Sequence, residues 1–168
     1  MRRLRELFGL PVLEIETGTQ IGEVREVVLD SERACVLGIV ISGDEKPFPG
    51  QGIFFRNLFR LGLDAVMVKQ RDAIQESLLT QGSETLLGSL LNKATFTETG
   101  RKLGTLVDVF FDPVTGEIKG YELSDGIITD LIHGRRQMPL PQAQVIGADN
   151  LIVPETMASL LQLGRPVS

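Results

Sequence analysis

The feature that most constrains the fold of this 168-residue chain is an internal repeat. Glycines recur at a spacing of 82 residues, in the pairs Gly18 and Gly100, Gly22 and Gly104, and Gly38 and Gly120. Asp30 and Asp112 keep the same spacing, and apolar positions hold the register between them. Because a shared glycine register is hard to obtain by chance, the sequence predicts two copies of one small structural unit.

The register shifts later in each copy. Residues 63–68 resemble residues 148–153 at a spacing of 85, so the second copy carries about three extra residues in its middle. The polar spacer 80–85 contains Gly82 and is the predicted boundary.

Each copy ends in a helix-compatible segment, at 72–79 and at 155–161. We therefore predict one domain over 1–81 and a second over 82–168, each with a C-terminal helix. Units of this size bury small cores, so an interface between them or a homo-oligomer would add stability.

The local patterns within each copy favour β structure. Alternating and β-branched runs are separated by turn residues at short, regular intervals. Gly22 and Gly104 lie inside predicted strands, where glycine marks a bulge or a close approach of two backbones. Asp30 and Asp112 are predicted to open turns. The predicted fold class is all-β with short helices, as two tandem small β-barrels.

The repeated residues resemble the PRC-barrel domain family over nearly the whole chain. The pattern in the first copy is Gly-Leu-Pro-Val at 9–12, Thr-Gly at 17–18, Ile-Gly-Glu-Val at 21–24, Leu-Gly-Ile-Val-Ile at 37–41 and Asp-Ala-Val-Met-Val at 64–68. The second copy repeats it at 99–100, 103–104, 120–121 and 149–153.

The resemblance implies a compact barrel of about six strands per copy, with no shared catalytic residues and no cofactor. Related barrels occur in the H subunit of photosynthetic reaction centres and in a ribosome maturation factor. The resemblance favours a non-catalytic protein-binding or adaptor module that docks a cytoplasmic protein or the face of a membrane complex. The alternative is a ribosome- or RNA-associated assembly factor.

Composition and charge limit the compartment and the partners. The net charge of −5 disfavours a nucleic-acid binder, which usually has an overall basic footprint. The single cysteine, Cys35, lies in an apolar run and is predicted to be a buried hydrophobe. No apolar run is long enough to span a bilayer, and no signal core follows the basic start of the chain. A cytoplasmic location is expected.

The residues that usually carry chemistry are sparse. His133 is the only histidine, and Asp130 and His133 alone are too few ligands for a zinc site. Phosphate-binding loops and nucleophile motifs are absent from the sequence. The sequence therefore predicts neither an enzyme nor a metal site.

Two segments are candidates for binding a partner, and both lie where the copies diverge. Their candidate residues are Phe54, Phe55, Arg56, Phe59 and Arg60 in the first copy and His133, Arg135 and Arg136 in the second. The competing interpretation is that the phenylalanines belong to the core and that the charged side chains are solvated.

Overall fold

The computed structural model describes residues 1–42, 51–76, 78 and 82–163, and nearly half of them form strands. The strands of the first half are β1 (Arg2–Arg3), β2 (Pro11–Glu14), β3 (Gln20–Asp30), β4 (Cys35–Ser42), β5 (Gly52–Phe54), β6 (Arg60–Leu61), β7 (Val66–Val68) and β8 (Ile74–Gln75). Those of the second half are β9 (Glu84–Leu86), β10 (Ala94–Thr97), β11 (Lys102–Phe111), β12 (Ile118–Ser124), β13 (Arg136–Pro139), β14 (Val145–Ile146), β15 (Asn150–Val153) and β16 (Gln162–Leu163). The helices are α1 (Leu87–Leu90) and α2 (Ile127–His133), with 3-10 helices at Leu4–Leu7, Phe55–Asn57, Arg71–Ala73 and Glu155–Leu160.

The chain divides into two compact units. The N-terminal unit comprises Leu4–Gly88 together with Asp112–Glu117. The C-terminal unit comprises Met1–Arg3, Ser89–Phe111 and Ile118–Ser168. Each unit therefore includes a short segment from the other half of the sequence. The boundary predicted near residue 82 stays a prediction.

Both units have the same strand order, as the repeat predicts. The N-terminal sheet runs β6-β7-β2-β3-β4-β5-β8, and β9 also pairs with β3. The C-terminal sheet runs β14-β15-β10-β11-β12-β13-β16, and β1 also pairs with β11. In each sheet the first strand of one copy thus pairs with the long strand of the other copy. The predicted fold class, mostly β with two repeats of a curled sheet and short helices, is confirmed.

The long strands bend at equivalent places. The register of β3 against β4 shifts between Val24 and Glu26, and that of β11 against β12 shifts between Leu106 and Asp108. A bulge adds one residue to one strand, which increases its bend and local twist. Because of these bulges, one long strand can follow the curl of its sheet and pair with neighbours along its whole length.

The core lies along the long strands. Val24, Val27 and Val28 of β3 are at most 1% exposed, and Leu106 and Val109 of β11 are fully buried. Full burial of such a side chain stabilises a fold by about 1.5–3 kcal/mol. The apolar positions that share the 82-residue spacing are therefore the positions that hold each unit together.

The two turn aspartates act as predicted. Asp30 Oδ1 accepts from the backbone N–H groups of the two residues that follow Ser31, at 3.1 Å each. Asp112 Oδ1 accepts from the equivalent groups at 2.8 and 3.2 Å. The second turn closes with Gly116 at φ +79°, whereas the first uses Ala34 at φ +53°. Ala34 therefore holds a left-handed conformation that usually favours glycine.

One local prediction needs correction. The tail of the first copy, predicted as a helix over 72–79, begins with one 3-10 turn at Arg71–Ala73 and continues as β8. β8 pairs with β5 of its own sheet, and this tertiary pairing overrides the local helix preference. The tail of the second copy forms the 3-10 helix Glu155–Leu160, a short helix within the predicted range, and β16 follows it and pairs with β13.

The glycines at 22 and 104 mark close backbone contacts. A Cβ added at Gly22 would lie 2.5 Å from the Ser42 carbonyl oxygen, and one at Gly104 would lie 2.8 Å from the Ser124 oxygen. Neither position has room for a side chain, which confirms the sequence prediction of a close backbone approach.

We expect Gly22→Ala to lower the free energy of unfolding by about 2 kcal/mol, because strands β3 and β4 must separate to admit the methyl group. Urea unfolding followed by circular dichroism measures this. The control is Gly18→Ala, where the space is open and only the φ of +68° is strained, at a cost of about 1 kcal/mol. A smaller loss for Gly22→Ala than for the control would contradict the packing argument.

Tyr121, the only tyrosine, reports on the C-terminal core. Its side chain is 3% exposed and its hydroxyl donates to Gln144 Oε1 at 2.7 Å. Burial raises the pKa of Tyr121 to about 12.

An absorbance titration should therefore show the tyrosine of the folded protein ionising near pH 12 rather than near pH 10. The unfolded chain loses this proton first, so the stabilisation is complete below about pH 10 and is lost as the pH rises toward 12. The same titration in denaturant is the control. Ionisation of the folded protein near pH 10 would show that the ring is solvated.

Candidate functional site

Phe54, at the end of β5, belongs mainly to the core. Its half-buried ring packs against the buried cluster of Val28, Val40 and Leu78. The guanidinium of Arg56 lies over the same ring, 4.3 Å from its centre. One face of the Phe54 ring is therefore covered by the Arg56 guanidinium, and the ring packs on the core. Phe54, predicted as a binding residue, positions Arg56.

Phe55 begins the 3-10 helix Phe55–Asn57 and is also half-buried. Its ring lies against Gly116, where an added Cβ would come within 3.0 Å of the ring. Gly116 belongs to the same unit, and its carbonyl accepts from the Val36 N–H at 2.8 Å. The turn Asp112–Glu117 thus forms one wall beside the phenylalanine segment.

A groove of about 480 Å³ lies between this turn and the segment 55–61. We call it the Phe/Arg groove. It is lined by Phe55, Arg56, Leu58, Phe59, Arg60, Leu61, Pro113 and Val114. Among the residues that the structure describes, its lining combines apolar surface with two guanidinium groups and contains no carboxylate.

Two apolar side chains of the groove are exposed. Phe59 is 52% exposed and Val114 is 84% exposed. Arg56 and Arg60 are exposed as well, and neither has a carboxylate within 4 Å among the described residues. The structure therefore brings together Phe55, Phe59 and both predicted arginines, and it adds Val114.

A second recess adjoins the groove on the other side of Phe59. Lys69 Nζ lies 5.7 Å from the centre of the Phe59 ring. Glu16 and Asp72 also line this recess, and the Glu16 carboxylate accepts from Gln70 Nε2 at 3.2 Å. The recess shares Arg56, Leu58 and Phe59 with the groove, and the two acidic side chains line the recess but not the groove.

The C-terminal candidates are arranged differently. Glu122 is buried, with its side chain 4% exposed, and two arginines hold its carboxylate. Arg3 Nη2 lies 2.9 Å from Oε2, and Arg135 Nη1 lies 3.0 Å from Oε1. Arg135, predicted as a binding residue, therefore already has a structural partner.

Arg136 is also engaged within the C-terminal unit. It pairs with Asp125 at 3.2 Å, and it donates to the carbonyl of Leu103. Nearby, the hydroxyl of Ser124 donates to Asp130 Oδ2 at 2.5 Å and holds the pKa of that carboxyl below its ordinary value. Both arginines thus have hydrogen-bond and ion-pair partners within the C-terminal unit. This favours a structural role for them over a role in binding a partner.

Helix α2 presents apolar surface rather than charge. Leu131 is 82% exposed and Ile132 is 69% exposed, and the neighbouring His133 is exposed as well. His133 is therefore accessible to a partner, and the apolar pair beside it was not predicted from the sequence. Sequence alone gave no signal for it, because two apolar residues in a short helix normally indicate a buried face.

The two divergent segments occupy different positions in the repeat. Strand pairing places Phe54 opposite Gly38 and Pro139 opposite Gly120, so the 85-residue spacing already holds at β5 and β13. The counterpart of the Phe/Arg segment is therefore 137–147, and the three extra residues of the second copy precede it, around α2. The counterpart of α2 falls on residues 43–50, outside the described residues.

The described residues contain no group of three or more histidine, cysteine, aspartate or glutamate side chains placed to hold a metal ion. Within the same part of the chain, no helix is long and apolar enough to cross a membrane.

Two curled sheets with one strand order, each completed by a strand from the other copy, define a tandem β-barrel scaffold. The PRC-barrel domain family model matches residues 1–76 and again residues 84–159. The chain belongs to the PRC-barrel family, with two copies in tandem. PRC-barrel domains are modules of protein interaction and assembly and are generally non-catalytic. A search of curated proteins gave no match.

We expect the double variant Arg3→Ala/Arg135→Ala to destabilise the C-terminal unit by about 3 kcal/mol, because it leaves the buried Glu122 carboxylate without either guanidinium. Each single change should cost about 1 kcal/mol, since both arginines are partly solvated and one remains. Urea unfolding monitored by Tyr121 fluorescence measures these losses.

The control for this cycle is Arg60→Ala, which removes an exposed arginine that has no carboxylate partner in the described part of the chain. It should leave stability within about 0.5 kcal/mol. A double variant no less stable than the control would show that Glu122 does not depend on the two arginines.

Proposed function

We propose that this chain is a non-catalytic protein-binding or adaptor module that docks a cytoplasmic protein or the face of a membrane complex. The proposed docking site is the Phe/Arg groove of the N-terminal unit. Membership of a family of interaction and assembly modules supports this proposal.

The observation that carries the proposal is the exposure of Phe59 and Val114 in one groove. Placing apolar area against a partner is favourable by about 25 cal/mol per Å², so two such side chains supply a few kcal/mol. Aromatic residues and arginine are also the types that most often dominate binding energy at interfaces. The groove has both, whereas the core needs neither Phe59 nor Val114.

An adaptor needs a second surface, and α2 is the candidate in the C-terminal unit. Its exposed Leu131 and Ile132 are rimmed by His133 and the half-exposed Arg135. Since the Phe/Arg groove and α2 lie at different positions of the repeat, the two copies offer different surfaces. This asymmetry favours two different partners over one repeated contact.

Affinity capture from a nuclease-treated lysate of the source organism tests the proposal. We expect the variant Phe59→Ser/Val114→Ser to lose at least one captured protein about 30-fold or more, because interface anchors typically contribute about 2 kcal/mol. Binding of the purified partner to wild type and variant then gives the affinity directly. Both substituted side chains are exposed, so the fold should be unaffected.

The matched control is Leu63→Ser, which removes an 82% exposed apolar side chain of the same unit outside the groove lining. It should retain the captured protein. Identical captured sets for all three forms would refute the groove as the docking site. Proteins captured only from a parallel lysate without nuclease, or capture that falls steeply between low and moderate salt, would instead support the ribosome- or RNA-associated alternative.

A further inference from the structure

We propose that the segment bound in the Phe/Arg groove is acidic and amphipathic, with an apolar anchor beside carboxylates that pair with Arg56 and Arg60. This inference rests on the proposed docking function and names the chemistry of its partner.

We infer the apolar anchor of the bound segment from the residues at the floor of the groove. Leu58, Phe59 and Val114 form a continuous lining, and the Phe55 ring is fixed against Gly116. A fixed floor between two exposed apolar side chains suits one large apolar side chain, because such an anchor displaces water without requiring the site to rearrange.

We infer the carboxylates of the bound segment from the two arginines of the groove. Arg56 is held over the Phe54 ring at 4.3 Å, which orients its guanidinium while leaving its hydrogen-bond donors available. Arg60 lines the same groove from edge strand β6. A planar guanidinium binds a carboxylate through two parallel hydrogen bonds, so each arginine is suited to one acidic side chain.

A comparison within the molecule shows that this pair of arginines is unusual. In the C-terminal unit, Arg135 and Arg136 pair with Glu122 and Asp125 at 3.0 and 3.2 Å. Across the described residues, Arg56 and Arg60 have no such partner, although the chain has 22 acidic side chains against 17 basic ones. Carboxylates are thus abundant in the chain, but none of those in its described part lines this groove.

The adjoining recess sets the direction of the bound segment. Glu16 and Asp72 line that recess together with Arg56 and Lys69, so they weaken the attraction of carboxylates on that side. The groove lining around Arg60 and Val114 has no acidic side chain among the described residues and therefore favours the acidic residues of the partner. The net charge of −5 also opposes general attraction of acidic chains, so recognition has to come from local pairing.

The second copy provides a natural contrast. At the 85-residue spacing, Phe59 corresponds to Gln144, and Arg56 and Arg60 correspond to Pro141 and Val145. The aromatic and basic groups are therefore features of the first copy alone, and the barrel repeat does not require them.

Selection from a displayed library of random 12-residue peptides against the full chain tests the inference. Peptides that bind wild type and not the Phe59→Ser variant report on the groove. We expect them to be enriched in aspartate or glutamate near an aromatic or large aliphatic residue. A synthetic peptide from this set should bind about tenfold or more weakly when its carboxylates are replaced by amides.

The charge-reversed variant Arg56→Glu/Arg60→Glu should lose these peptides and select basic ones. The matched control Arg25→Glu/Lys102→Glu reverses two exposed charges elsewhere and should keep the original set. Groove-dependent peptides without acidic enrichment would overturn the inference and leave the docking function intact. Peptides insensitive to Phe59→Ser, or a groove that binds single-stranded RNA instead, would overturn both.

Discussion

The structure depends on one close contact between backbones, made once in each unit. Where the long strand crosses its neighbour, Gly22 faces the Ser42 carbonyl and Gly104 faces the Ser124 carbonyl. The bulges in β3 and β11 bend the strands just beyond these points. A side chain at either position would hold the two strands apart and open the sheet. The curl of the sheet, its core and the loops that it carries therefore require a residue without a Cβ.

This constraint explains why the sequence predicts the fold well. Glycines, turn aspartates and buried apolar positions recur because each copy must solve the same packing problem, and those residues indicate the repeat and its β-rich fold from the sequence alone. Local reasoning failed where tertiary pairing decided the outcome. The tail at Ile74–Gln75 forms a strand because β5 offers it an open edge, and no pattern within the tail indicates that edge.

The candidate site was predictable only in part. The cluster of phenylalanine and arginine around Arg56 and Phe59 stands out in the sequence. Val114 does not stand out, because it lies in an ordinary turn that is distant in sequence from Arg56 and Phe59. The reverse holds for Arg135, whose prominence in the sequence reflects the buried Glu122 that it neutralises. An exposed charge and a structural charge have the same appearance in sequence, and only the location of a counter-ion separates them.

The exchange of β1 and β9 has a consequence for any attempt to separate the two copies. The N-terminal unit includes Glu84–Leu86 and the turn Asp112–Glu117, which lie beyond the first copy in the sequence. The C-terminal unit in turn includes Arg2 and Arg3, which pair with β11. A cut between the copies would therefore leave two incomplete sheets with open edges rather than two working domains. Each copy therefore depends on the other for one strand of its sheet.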